Sequence, residues 1–426
     1  LSWLPVDGTS AWNLAVYVPR RRPGPARPLV VEARSALEGT RVSLPLGLGK
    51  AAEGTRSLDA KITLSDGRPR DIELTLDELR LAAERIETGG WAARLQSPVA
   101  TGNLHLPDST AQPIRADLER ISLQLDATAL GSKATMQAGD GDPTPTDIPS
   151  IDLTAGEVVL NGHPYGELSA RARRLDAGIR LEELTLGSDK GQLRLQGEWL
   201  TIPEGQRTSL DVDIDTTDLG QTLKDLALSA ATQDGSGTFR AQASWSGPPW
   251  APRRETINGQ ISFRAEKGRF TDAEPGVGRL FGLLNVGALQ RRLRLDFSDL
   301  FTEGFVFDIA EGDFAISDGL AHTSDTLIDS PAGDIFISGT TNLVTTELDQ
   351  VVTVTPAISG AVALAGGIAA GPVVGAALLA AGKGINRIAT ARYRMAGPWQ
   401  DPKVERLVDP ATEPDTTETT GLPEIH

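Results

Sequence analysis

The 426-residue chain has room for one long domain or for up to three ordinary ones. Its net charge of −16, from 41 Lys and Arg against 57 Asp and Glu, argues against nonspecific nucleic-acid binding. With no cysteine, disulfides, thiol catalysis and thiolate metal sites are excluded, while 45 Gly and 27 Pro suit strands and turns better than a helical bundle.

The chain begins at Leu1 without a basic-then-apolar leader, which suggests a fragment or a processed product. Residues 18–28, "VPRRRPGPARP", read as a basic, Pro-rich loop. Short runs with a period of two follow, the spacing that puts alternate side chains on one face of a strand. The first places Ile62 and Leu64 before a Gly/Pro turn and Ile72, Leu74 and Leu76 after it, so the two strands are expected to be antiparallel neighbours. The pattern returns with Ile121, Leu123 and Leu125, with Leu193 and Leu195, and with Leu210, Val212 and Ile214. It returns again with Ile261 and Phe263, with Leu293, Leu295 and Phe297, with Phe305 and Phe307, and with Ile335 and Ile337. "SDG" at 65–67 and at 317–319 is turn chemistry. Leucines three or four apart predict short helices near 219–227 and 278–290. Polar loops at 139–150 and 246–257 are candidate breaks between sub-blocks of an elongated β region covering residues 1–355. Each apolar face must be hidden from water, either as ordinary core or as the lining of a ligand groove, and periodicity does not choose between them.

Residues 350–382 carry no charged side chain. Gly366, Gly367 and the Gly371-Pro372 pair break the run, so residues 356–394 are expected to form an apolar helical hairpin with a basic end. Its first arm, of about 10 Å, is too short for a hydrocarbon layer of about 30 Å. Val373, Val374, Leu378 and Leu379 in the second arm, with Lys383, Arg387, Arg392 and Arg394 beyond them, fit contact with an anionic lipid surface. A small-residue helix pair packed on the end of the sheet is the alternative. Residues 395–408 read as a terminal strand, and 409–426, with few large apolar side chains, as a disordered tail.

No catalytic signature emerges. The four histidines are far apart in sequence and no HExxH is present; "GLGK" at 47–50 lacks the earlier glycine and the following Ser or Thr of a phosphate-binding loop. No metal, cofactor or catalytic residue is assigned.

Several segments in order carry a family likeness: "IDLTAGEVVLNGHPYGELSARARR", "LRLQGEWL", "GRLFGLLNVGALQRRLRLDFSDLFTEGFVFD", and the long run from "GDFAISDGLAHTSDTLIDSPAGDIFISG" into the apolar stretch, then "YRMAGPWQDPKVERL". Over residues 90–408, most strongly from Gly259, the chain resembles the C-terminal part of the YhdP family of AsmA-like bacterial envelope proteins. TamB-type proteins are more distant relatives in architecture. The resemblance implies a mainly β fold, with a long twisted antiparallel sheet curled into a half-open hydrophobic groove, short helices and the C-terminal hairpin. It also implies a periplasmic conduit that carries phospholipids between inner and outer membranes, with the alternating aliphatic residues above as its lining. The expected partners are phospholipids and either the inner leaflet of the outer membrane or an envelope protein; nucleic acid is not expected. A non-catalytic scaffold for other envelope proteins is the competing expectation.

Overall fold

The computed structural model describes residues 6–19, 28–42, 51–109, 111–124, 144–226, 228, 232–271, 305–331, 333–356, 391–399 and 402–407. The chain is mainly β. Strands β1 (Val6–Gly8), β2 (Asn13–Tyr17), β3 (Leu29–Ser35) and β4 (Thr40–Val42) come first, and β1 and β4 pair only with each other. Then come β5 (Leu58–Ser65), β6 (Arg68–Leu76), β7 (Leu79–Arg85), β8 (Trp91–Gln96), β9 (Ala100–Leu106) and β10 (Ile114–Leu123). A series of longer strands follows: β11 (Ile151–Leu160), β12 (His163–Leu175), β13 (Gly178–Gly187), β14 (Gly191–Ile202), β15 (Gly205–Thr216), β16 (Thr232–Ser246) and β17 (Asn258–Phe270). The last block is β18 (Phe305–Ser317), β19 (Leu320–Asp329), β20 (Gly333–Asn342), β21 (Glu347–Pro356), β22 (Ala391–Pro398) and β23 (Lys403–Leu407). Among the described residues one α-helix, α1 (Leu219–Asp225), lies between β15 and β16.

Apart from β1 and β4, the strands of the described residues form one sheet of 21, each hydrogen-bonded to the next in chain order. The order is open: β2 pairs with β3 and β23 with β22, and these two outermost strands do not pair with each other. Tight turns set the order. Asp66-Gly67, Asn161-Gly162 and Asp318-Gly319 all have positive φ, the two-residue geometry whose twist matches antiparallel strands. One pair departs from the antiparallel expectation. β10 and β11 are parallel, from Ile114↔Ile151 to Leu123↔Leu160. The sheet also runs past 247–257 without a break, because β16 and β17 pair from Ser244↔Asn258 to Thr232↔Phe270.

The C-terminal hairpin expectation needs correction at both ends. Pro356 closes β21 and Ala391 opens β22, so Arg392 and Arg394 stand on a strand, alternating with buried Ala391, Tyr393 and Met395. The single terminal strand predicted over 395–408 is two strands, β22 and β23. The helix predicted at 219–227 forms, as α1. The helix predicted at 278–290, the body of the hairpin and the tail at 409–426 lie outside the described residues.

The largest packed core joins β17 through β22. Phe307, Ile328 and Val352 are wholly buried there, with Phe305, Ala310, Ile335, Ile337, Tyr393 and Met395 around them. Its fit depends on a missing side chain: Gly268 sits opposite Phe307, and a Cβ at Gly268 would lie 2.4 Å from the Phe307 ring. Gly268→Ala is therefore expected to lower stability by about 1–3 kcal/mol, the usual cost of overpacking. Ser262→Ala, on the same strand but on the polar face, is expected to stay within about 0.5 kcal/mol. Denaturant unfolding of the two variants checks the difference.

Candidate functional site

Cross-strand register brings the alternating apolar residues into files that run across the sheet. One file passes Val16, Val31, Ile62, Ile72, Ala83, Ala93, Leu104 and Ala116. It continues through Leu153, Ala170, Leu184, Leu195, Val212, Ala241 and Ile261. A second file runs beside it through Leu14, Ala33, Ala60, Leu74, Leu81, Leu95, Gly102, Leu118, Ala155, Leu168, Leu186, Leu193, Ile214, Phe239 and Phe263. Both span the fifteen strands from β2 to β17 without a polar side chain. At about 4.8 Å per strand, that is an apolar floor roughly 70 Å long. Most of its larger residues, among them Ile72, Leu74, Leu104, Leu184, Leu195, Val212, Ile214 and Ile261, are only half-buried. A face with packed cover would hide them fully.

Structure rises along both long edges between β11 and β17. On one edge α1 lies against the apolar face. Asp218 caps its N-terminus, accepting from the Gln221 N–H at 3.1 Å. Leu219 packs toward the β17–β22 core, and Leu226 toward a second core built on Ile121, Val158, Leu160, Tyr165 and Leu186. The Asn161 Nδ2 donates to the Asp225 carbonyl at 3.1 Å, tying the β11–β12 turn to the helix. The Tyr165 phenol bonds Thr222; burial, with the nearby Asp225 charge, pushes its pKa up, and the hydrogen bond offsets part of that. On the opposite edge the 247–257 loop folds over the same face. Trp250 meets Trp199 edge-on with centroids 5.0 Å apart, Trp245 Nε1 donates to the Pro248 carbonyl at 3.0 Å, and Thr208 Oγ1 donates to the Gly247 carbonyl at 2.7 Å. The floor is thus flanked by a helix and by a tryptophan-lined loop.

The opposite face of the sheet is charged and self-paired. Lys61 faces Glu73 at 3.3 Å, Arg171 faces Glu183 at 3.0 Å, Arg180 faces Glu198 at 2.6 Å and Arg240 faces Asp213 at 3.1 Å. Arg264 bridges Glu266, at 2.9 Å, and Glu311. These exposed pairs keep the outer face wet and fix little energy individually.

The predicted lining residues divide into groups. Ile62, Ile72, Leu195, Val212 and Ile261 stand in the first file, and Leu74, Leu193, Ile214 and Phe263 in the second. Leu64, opposite Leu29, and Leu210, opposite Gly197 and Ala243, flank the first file on one side; Leu76, between Leu58 and Leu79, lies beyond the second. Ile121 and Leu123 belong to the core under α1. Phe305, Phe307, Ile335 and Ile337 are 4%, 0%, 4% and 5% exposed; the open lining expected there is a filled core, because β20–β22 fold their own side chains onto it. Leu125, Leu293, Leu295 and Phe297 lie outside the described residues, as do Val373, Val374, Leu378, Leu379, Lys383 and Arg387. Arg394 is engaged on the outer face, its Nε and Nη2 each 2.9 Å from an Asp349 oxygen. Sequence reading missed Leu81, Ala83, Ala93, Leu95, Leu104, Leu153, Leu168, Leu184, Leu186, Phe239 and Ala241. Their signal was the same alternation, diluted by alanine and glycine.

Among the described residues, no three His, Asp or Glu gather as a metal site, and no helix is long and apolar enough to cross a membrane. His105, His163 and His322 stand on β9, β12 and β19, strands that are not neighbours.

Fold and site define a class: an open β-sheet trough with a continuous aliphatic floor and a charged exterior. The model of the YhdP protein family matches residues 71–404, and the chain belongs to that family. It is similar to the intermembrane phospholipid transporter YhdP of Escherichia coli (strain K12), 34% identical over 270 residues that make up 61% of this chain and 21% of the relative. The chain thus spans about a fifth of that relative's length. No solved structure matches it.

The Arg394 guanidinium holds the Asp349 carboxyl below its ordinary value. A lowered carboxylate pKa contributes stability above the unfolded-state value and loses it as pH falls through the folded one. Arg394→Gln is therefore expected to move the Asp349 titration up toward that of a free aspartate, with a stability difference present at pH 7 and gone once both forms are protonated. Carboxyl-carbon NMR across a pH series reads the shift.

Proposed function

We propose that this segment is a length of a phospholipid conduit in the envelope of a Gram-negative bacterium, in which acyl chains lie on the β2–β17 floor while headgroups stay in water along the open side. The observation that carries this reading is the pair of unbroken apolar files, most of whose larger side chains are only half-buried. Each CH₂ left in water costs about 0.8 kcal/mol, so a two-chain lipid cannot cross an aqueous gap freely. A floor that repeats every strand removes most of that cost. Because neighbouring positions are chemically alike, no single position traps the lipid, and it can slide. The name of the Escherichia coli relative, an intermembrane phospholipid transporter, supports the cargo and the route. We assign no catalytic step and no cofactor to the segment.

On this reading the segment lies in the periplasm of the whole protein, with phospholipid as cargo and the inner leaflet of the outer membrane or an envelope protein as the partner at its C-terminal end. The sequence 373–387, with Val373, Val374, Leu378 and Leu379 followed by Lys383 and Arg387, is assigned contact with an anionic lipid surface. A dry interior throughout would favour a scaffold for other envelope proteins; the packed cores are instead local, one at β17–β22 and one under α1, with half-buried aliphatic residues between them.

Val212→Asp and Ile261→Asp, each placing a charge on the floor, are expected to reduce lipid transfer between vesicles by the full-length protein at least tenfold with its circular dichroism unchanged. Asp213→Asn, one residue away on the charged face, leaves transfer intact. Unchanged transfer in both floor variants would sink the proposal.

A further inference from the structure

Resting on the conduit reading, we propose that the hydrocarbon path ends at the step from β17 to β18, with Phe263 and Phe314 as its end wall. Lipid then leaves the trough sideways through its open long side, not through the C-terminal end of the sheet. The apolar file itself continues: Ile261 pairs with Phe314, and Phe263 with Gly312. Its accessibility does not. Leu195, Val212 and Ile261 are half-buried, whereas Phe314 is 6% exposed and Phe307, Ile328 and Val352 beyond it are 0% exposed. A floor has become the inside of a closed core within one strand.

The wall is built from rings. Phe263 and Phe314 stack with centroids 6.3 Å apart, and Phe270 and Phe307 meet at 4.7 Å. Phe307 fills the space that Gly268 leaves open. Behind the rings the interior turns polar. Thr323 Oγ1 and Thr326 Oγ1 are 2.9 Å apart, and Gln350 Nε2 donates to Thr341 Oγ1 at 3.1 Å; all four residues are at most 2% exposed. The Gln350 Oε1 is buried without a hydrogen-bond partner. A sliding acyl chain entering here would have to displace close-packed side chains and would meet buried polar atoms to which it offers nothing in return. The open side asks for neither, so it is the exit.

The test uses unmodified full-length protein and a phospholipid bearing a diazirine in its acyl chain, with labelled residues mapped by mass spectrometry. Labelling is expected at Leu195, Val212 and Ile261, and at least tenfold less at Ile337 and Val352. Comparable labelling at Ile337 or Val352 overturns the end wall while leaving the conduit standing. No labelling at Val212 or Ile261 either overturns the conduit reading, and the end wall with it.

Discussion

Register is the constraint on which everything else rests. Side chains on a strand alternate with a period of two, so a slip of one residue anywhere would turn aliphatic side chains to the charged face and aspartates to the floor. The files survive because bulges absorb every break in the alternation. Leu181 and Leu184 are three apart, with Glu182 and Glu183 between them; the register shift there returns Leu184 to the face that Leu181 occupies. The shifts between Leu118 and Arg120, and between Ala155 and Val158, do the same on β10 and β11. An extra residue also increases local twist, which curls a long sheet around its apolar side.

From that register two regimes follow. Between β2 and β17 most of the larger apolar side chains are half-buried, apart from the core under α1, and the face is flanked in its later part by α1 and by the loop that carries Trp250. From β17 to β22 the same face closes on itself. The first regime leaves apolar area uncovered, which a protein of this charge tolerates only where something else covers it. The second supplies the dense packing that anchors one end of the sheet. Charge segregation serves both: the outer-face pairs, from Lys61–Glu73 to Arg394–Asp349, keep the exterior soluble without placing an ion near the floor.

Much of the sheet was legible in the sequence. Ile62 and Ile72 face each other across the Asp66-Gly67 turn, and Leu193, Leu195, Val212, Ile214, Ile261 and Phe263 share one face, as their spacing required. The strands from β7 to β9 were harder to see because alanine and glycine hold inward positions there, which weakens the contrast between faces. Leu181 and Leu184, three apart around Glu182 and Glu183, mark a bulge that a period-of-two reading passes over. The parallel β10–β11 pair has no local signal, since nearby residues do not encode a crossover. Phe305 and Ile335 show the deeper limit: alternation reveals that a face is apolar, but only the fold decides whether side chains or a ligand cover it. Arg392 and Arg394 were grouped with the basic residues before them by charge, although their alternation with Tyr393 and Met395 already spelled a strand.

The central claim is continuity of the hydrocarbon shelter. These 426 residues have no cysteine, so with any cysteine elsewhere in the full-length protein replaced by serine, single cysteines can be introduced one at a time along the first file, at Ile72, Leu104, Leu184 and Val212, and spin-labelled in the full-length protein. Electron paramagnetic resonance with lipid carrying a second spin in its tail should report contact at all four. Contact at one isolated position, or at none, would contradict a continuous path.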